Sequence, residues 1–121
     1  SFLNLRHLIN GRKVHRKSAA RKSFLKILMG NLIMHKKIKT TEARAKEIKV
    51  KLEKLVTLAK KQNLASLRML ISRLDEKSAF ELFNKIAPTM KKRNGGYLRI
   101  IKTPQFRKRD ASKMAIIEFV E

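Results

Sequence analysis

Hydrophobic and polar positions along this 121-residue chain change their period several times, and each change marks an element. Residues 1–17 scatter Phe2, Leu3, Leu5, Leu8 and Ile9 without a sustained period, so this segment reads as an extended basic arm. From Ser18, a residue type suited to an N-cap, the period becomes helical. Ala20, Phe24, Ile27, Leu28 and Asn31 fall on one face, with Leu25, Met29, Leu32 and Ile33 beside them. That helix is apolar over most of its girth and is expected at the centre of the core. Lys36 and Lys37 at its end suit the negative pole of its dipole. Residues 38–41 alternate β-favouring side chains and predict a brief strand, after which Thr41 caps a long helix. Its stripe is Ala45, Ile48, Leu52, Leu55, Val56 and Ala59, and Lys60, Lys61 and Asn63 mark its end.

Leu64, Leu67, Leu70, Ile71 and Leu74 predict a shorter amphipathic helix. Ser78 and Glu81 have capping-box spacing for another, with Phe80, Phe83 and Ile86 apolar and Pro88 ending it. Gly95 and Gly96 form a turn. Residues 97–102 read as a strand that Pro104 breaks, and 113–120 as the returning strand, with Ala115, Ile117 and Phe119 opposite Ile116, Glu118 and Val120. The expected class is α+β, in the order helix, strand, three helices, two strands. A small mixed three-stranded sheet would pack on the helices of one globular domain, residues 18–121, which carries the arm, residues 1–17.

Charge changes this picture from a generic small domain to a polyanion binder. The formal net charge is +22, and the first 41 residues hold eleven Lys and Arg and no acid before Glu42. Residues 42–84 are better balanced, with ten basic and six acidic side chains, whereas 85–113 carry ten basic residues against Asp110 alone. A segment that cannot neutralise itself is most stable against a dense array of negative charge. The excess far exceeds what solubility requires.

Several function classes drop out. The absence of cysteine excludes disulfides, Cys-based zinc sites and a thiol nucleophile. The longest apolar stretch, 27–34, is interrupted by Gly30 and Asn31 and falls far short of the roughly 20 residues a bilayer demands, and no secretory signal is read at the N-terminus. No carboxylate pair is spaced for acid–base work, and His7, His15 and His35 have no second ligand at an i+3 or i+4 offset. Asn94-Gly95-Gly96 lacks the following Lys-Ser/Thr of a phosphate loop. Neither an enzyme nor any cofactor, metal or small-molecule substrate is expected. With six Phe, one Tyr and no Trp, a stacking platform for single strands is disfavoured too. That leaves backbone and shape recognition of folded RNA, or an architectural coating of DNA, which would need a dimer seam or an apolar wedge that the sequence does not display.

Local motifs separate these. Arg6-His7, followed by Gly11-Arg12-Lys13-Val14-His15-Arg16, resembles the opening of the bacterial-type large-subunit ribosomal protein seventeen family. The likeness continues through Leu32-Ile33-Met34-His35, Ile38-Lys39-Thr40-Thr41 and Ala45-Lys46-Glu47, resumes at Leu55-Val56-Thr57-Leu58-Ala59-Lys60, and closes with Gly95-Gly96-Tyr97-Leu98-Arg99-Ile100, Phe106-Arg107, Asp110 and Met114-Ala115. These blocks run in family order over residues 6–121. The chain departs from the pattern at Leu8-Ile9-Asn10, where basic residues are usual, and at Arg109 and Lys113, which stand for a Gly and a Pro.

The resemblance implies the same helix–strand–three helices–two strands order. It further implies a structural protein that binds large-subunit ribosomal RNA near the rim of the polypeptide exit tunnel, beside neighbouring ribosomal proteins. A bacterial cytoplasmic setting is favoured over an organelle because the chain is close in length to the bare family domain. Phosphate contacts are expected from Arg6, His7, Arg12, Lys13, His15, Arg16, Lys17, Arg21 and Lys22 of the arm and first helix. Arg99 and Lys102 from the strand, and Arg107, Lys108 and Arg109 from the last loop, would extend the surface.

Overall fold

The first helix, α1, spans Phe2–His35 in the computed structural model, which describes residues 2–106 and 112–120, with side chains over 19–104 and 112–120. Ser18 is therefore not a helix start, and residues 2–17 continue α1 rather than forming an extended arm. The reason is local: no proline interrupts residues 1–35, Gly11 costs only about 1 kcal/mol against Ala, and the Leu, Arg and Lys that fill the segment are good helix formers. The buried stripe also differs from the expected one. Leu25, Met29, Leu32 and Ile33 are buried, while Phe24 and Ile27 are 41% and 61% exposed and Ala20 and Asn31 face solvent. A helix apolar nearly all round does not declare its inner face, and here its neighbours choose it.

At its end the chain turns through Lys36, held in the left-handed region at φ 71°, with its N–H on Leu32 O at 2.7 Å. The Lys36 ammonium donates to Ile33 O at 3.1 Å, so the last carbonyls of α1 are satisfied by the residue that follows them. Strand β1 (Lys37–Thr41) leads directly into α2 (Glu42–Ala59), whose first turn is capped by Thr41 accepting from Arg44 N–H. The whole expected α2 stripe is buried, and this helix forms the centre of the core.

Helix α3 (Leu64–Arg73) is capped by Asn63, which exchanges hydrogen bonds with Ser66 in a capping box. Of its expected apolar face, Leu70 and the following Leu74 are buried, whereas Leu64 and Ile71 are exposed. Helix α4 (Glu76–Glu81) begins one residue after Asp75, which accepts from Ser78 N–H; Asp75 and not Ser78 is the cap. Ser78 is instead buried against α1, where Gly30 leaves room for it.

Pro88 does not end this helix. A π-helical turn (Leu82–Ile86) leads into a last α turn, α5 (Ala87–Thr89), and Ala87 N–H reaches back five residues to Leu82 O. Widening the turn removes the carbonyl clash that a proline ring causes in a regular helix.

Two strands complete the sheet, β2 (Leu98–Phe106) and β3 (Lys113–Phe119). The order is β1-β3-β2, and both pairs are antiparallel, so the sheet is not mixed: β3 lies between the two strands that run parallel to each other. Pro104 does not terminate β2 but lies in a register shift between Lys102 and Phe106, where no ladder N–H is required of it. The expected alternation in β3 holds, with Ala115, Ile117 and Phe119 buried against the helices. Tyr97 anchors the start of β2. It is buried, its hydroxyl accepts from Lys60 Nζ at 2.9 Å, and its N–H donates to Glu53 Oε2 at 3.3 Å. That Lys60 hydrogen bond, foremost, holds the Tyr97 phenol below its ordinary pKa. Lys60 also donates to Arg93 O, so the C-terminal end of α2 fixes the loop before β2.

Candidate nucleic-acid interface

Four of the expected phosphate-contacting residues, Arg21, Lys22, Arg99 and Lys102, have described side chains, and the fold distributes them over separate surfaces. Residues Arg6, His7, Arg12, Lys13, His15, Arg16 and Lys17 lie on the N-terminal half of α1, and their side chains are outside the described residues, as are Arg107, Lys108 and Arg109 entirely.

Arg99 stands on the outer face of the sheet, paired in register with Glu118 of β3, which is in turn opposite Lys37 of β1. Its Nε donates to Glu118 Oε1 at 2.6 Å. Lys102 is three residues on, and strand alternation turns it to the other face, where Nζ lies 3.6 Å from Glu42 at the start of α2. The two strand cations thus do not form one patch, and each has an acidic partner in the protein itself.

Arg21 and Lys22 diverge as well, since consecutive helical residues point about 100° apart. Arg21 donates to Glu47 of α2 at 2.7 Å and lines a groove of about 990 Å³ between α1, the start of α2 and Lys113 of β3. In this groove Phe24 lies beneath Arg44, whose guanidinium carbon is 4.6 Å from the ring centre. The groove is partly neutralised: Glu42 pairs with Lys46 at 3.2 Å, and Glu47 with Arg21 and, at 3.9 Å, with Lys51 outside it. The Lys46 hydrogen bond, opposed by partial desolvation and reinforced by Lys102, keeps the Glu42 carboxyl below the usual carboxylate range.

Lys22 belongs to a different cleft, of about 600 Å³, between α1, α2 and the end of α3. It is lined by Lys22, Lys26, Lys51, Lys54 and Arg73, over a floor of Leu25, Met29 and Leu55, and no carboxylate lines it. Its neighbouring acids lie outside: Glu47 reaches Lys51, and the charge of Lys26 acts on Asp75. Four of these cations were not among the expected contacts. Their spacing, i,i+4 for Lys22 and Lys26 and i,i+3 for Lys51 and Lys54, places each pair on one helix face, but only the packing of three helices brings the pairs together.

Catalytic geometry is absent from the described residues. Their carboxylates with short contacts face Lys, Arg or backbone N–H groups, no cluster of three metal-ligating side chains occurs among them, and His35 is exposed. Among the described residues no helix is long and apolar enough to cross a membrane.

Comparison with known proteins identifies the family. The family described as Ribosomal protein L17 matches residues 24–120. The large ribosomal subunit protein bL17 of Sphingopyxis alaskensis is 48% identical over 118 residues, covering 97% of this chain and 84% of that protein. The bL17 of Persephonella marina is 46% identical over 97% of this chain and 96% of its own length, and that of a Hydrogenobaculum species 41% over 97% and 100%. With the family matched across α1 to β3 and relatives aligned over nearly their full length, the chain belongs to the ribosomal protein L17 family.

Proposed function

We propose that this protein is a structural constituent of the large ribosomal subunit that binds folded ribosomal RNA through phosphate and shape contacts, near the rim of the polypeptide exit tunnel and beside other large-subunit proteins. Membership of its family makes it a structural ribosomal protein and not an enzyme. The relatives named as large-subunit proteins support assignment to that subunit, and their bacterial sources support a cytoplasmic ribosome.

One observation carries the RNA reading: a net charge of +22 whose longest stretch free of acids, up to Glu42, lies along α1 and the strand that follows. Each Lys or Arg set on a phosphate releases condensed counterions, and a helix presenting Arg6, Arg12, Lys13, Arg16 and Lys17 in succession supplies several such contacts. Arginine adds bidentate phosphate geometry. The body holds α1 through the buried Leu25, Met29, Leu32 and Ile33, and the basic half continues the same helix.

Sedimentation tests this reading. Tagged protein expressed in bacterial cells should travel with large subunits through a high-salt gradient. Replacement of Arg12, Lys13, Arg16 and Lys17 by Ala should lower incorporation while thermal unfolding of the free protein changes little. Wild-type protein remaining at the top of the gradient would contradict the proposal.

A further inference from the structure

We propose that the cleft between α1, α2 and α3 is a second RNA-backbone site, in which Lys22, Lys26, Lys51, Lys54 and Arg73 take the phosphates of one strand of folded RNA. This rests on the RNA-binding reading above and adds a site on the body.

The argument begins with charge balance. The larger groove beside Arg21 is lined by Arg21, Arg44, Lys46 and Lys113, but also by Glu42 and Glu47, which pair with Lys46 at 3.2 Å and with Arg21 at 2.7 Å and halve its net charge. On the sheet Arg99 and Lys102 are likewise engaged by Glu118 and Glu42. In the cleft no carboxylate offsets the five cations that line it, and among the described residues Lys22, Lys54 and Arg73 form no ion pair. Like charges gathered with few partners repel one another and weaken the free fold, a cost that a bound polyanion removes.

Shape supports the same occupant. Leu25, Met29 and Leu55 make a buried apolar floor, and charges set around a low-dielectric floor focus the field into the concavity. The lysines of each pair stand about 5–6 Å apart at Cβ, so the cleft presents two short cationic rows with Arg73 beside them. The site is also continuous with the proposed interface. Lys22 and Lys26 lie on the same helix as the basic residues of its N-terminal half, so the cleft adjoins the proposed interface. An acidic protein segment would satisfy the charges but would not share that continuity.

Two measurements on the full chain test the site. In the first, binding to large-subunit ribosomal RNA is followed against salt for wild type, for Lys51→Gln/Lys54→Gln/Arg73→Gln, and for Lys61→Gln/Lys91→Gln/Lys92→Gln, which removes equal charge from exposed positions elsewhere. The cleft variant should lower the slope of log K against log salt by about 2–3 units, at roughly 0.7–0.9 per phosphate, and the control should leave it unchanged. In the second, wild-type lysines are acylated in free and RNA-bound protein and quantified by mass spectrometry, which needs no variant to fold. Lys22, Lys26, Lys51 and Lys54 should be protected by RNA at low salt and Lys61, Lys91 and Lys92 should not.

Equal slopes for the cleft and control variants, or unprotected cleft lysines in wild-type protein that binds RNA, would overturn the site while leaving the RNA-binding reading intact. Protection seen only in assembled subunits and never with RNA alone would assign the cleft to an acidic protein partner and overturn it as well. Wild-type binding with no salt dependence would overturn both.

Discussion

Gly30 shows how much of the fold rests on single contacts. A methyl group there would stand 3.0 Å from both Asp75 Oδ1 and Ser78 Oγ. Asp75 is fixed as the cap of α4, and Ser78 is 1% exposed, so neither oxygen can move away cheaply. Gly30→Ala gains about 1 kcal/mol of helix propensity, against an overpacking cost of about 1–3, so the net should be a loss of about 1 kcal/mol. In an Asp75→Ala/Ser78→Ala background the same substitution should become neutral or stabilising. Urea unfolding of the four proteins checks the coupling; an equal effect in both backgrounds would refute it. Glu118 makes the opposite case. Its partner Arg99 is 57% exposed at the side chain, so Glu118→Gln should cost only about 0–1 kcal/mol. It should also tighten RNA binding, because Arg99 loses its internal partner. Weaker binding by this variant would mean that Arg99 faces no phosphate.

At the scale of elements, Glu81 ties α4 to the end of α1. It lies 3.0 Å from Lys36 Nζ and 3.5 Å from Lys85 Nζ, and chiefly the Lys36 hydrogen bond holds its carboxyl below the ordinary 4.5. Asp75 is depressed below 3.8, chiefly by the Ser78 hydroxyl. A depressed carboxyl contributes its stabilisation fully above the unfolded pKa and loses it as pH falls through the folded one. Stability should therefore be flat above about pH 5 and decline below about pH 4, and Glu81→Gln should make that decline shallower. Chemical denaturation across this range is the check, and an unchanged acid limb in the variant would remove Glu81 from the account. These junctions also explain what was legible in the sequence. The α2 stripe from Ala45 to Ala59 was readable because its opposite face is charged, so periodicity alone fixes the inside. On α1 it cannot, since Phe24 and Ile27 compete with Leu25 and Met29, and only packing against α2, α4 and β1 decides. Pro88 and Pro104 look like stops in sequence because the π turn and the register shift that accommodate them leave no local signal.

Across the whole molecule, charge and fold divide the labour. The core of α2, α1 and β3 is built from apolar side chains, and no buried side-chain polar atom among the described residues lacks a partner. The excess charge lies outside this core. The acid-free first 41 residues make a polyanion partner the expectation from sequence, but give no sign of the cleft, whose five cations come from three helices spanning residues 22–73. A structural protein of this kind acts by position and neutralisation, so its affinity for RNA should be governed by salt and by the N-terminal half of α1. The most direct measurement is the salt dependence of full-length binding to large-subunit ribosomal RNA, for wild type and for the Arg12, Lys13, Arg16 and Lys17 to Ala variant. A steep wild-type slope that falls by about 3–4 units in the variant is the predicted result. A slope left unchanged by losing these four charges would contradict the account, because the longest acid-free segment of the chain would then face no RNA.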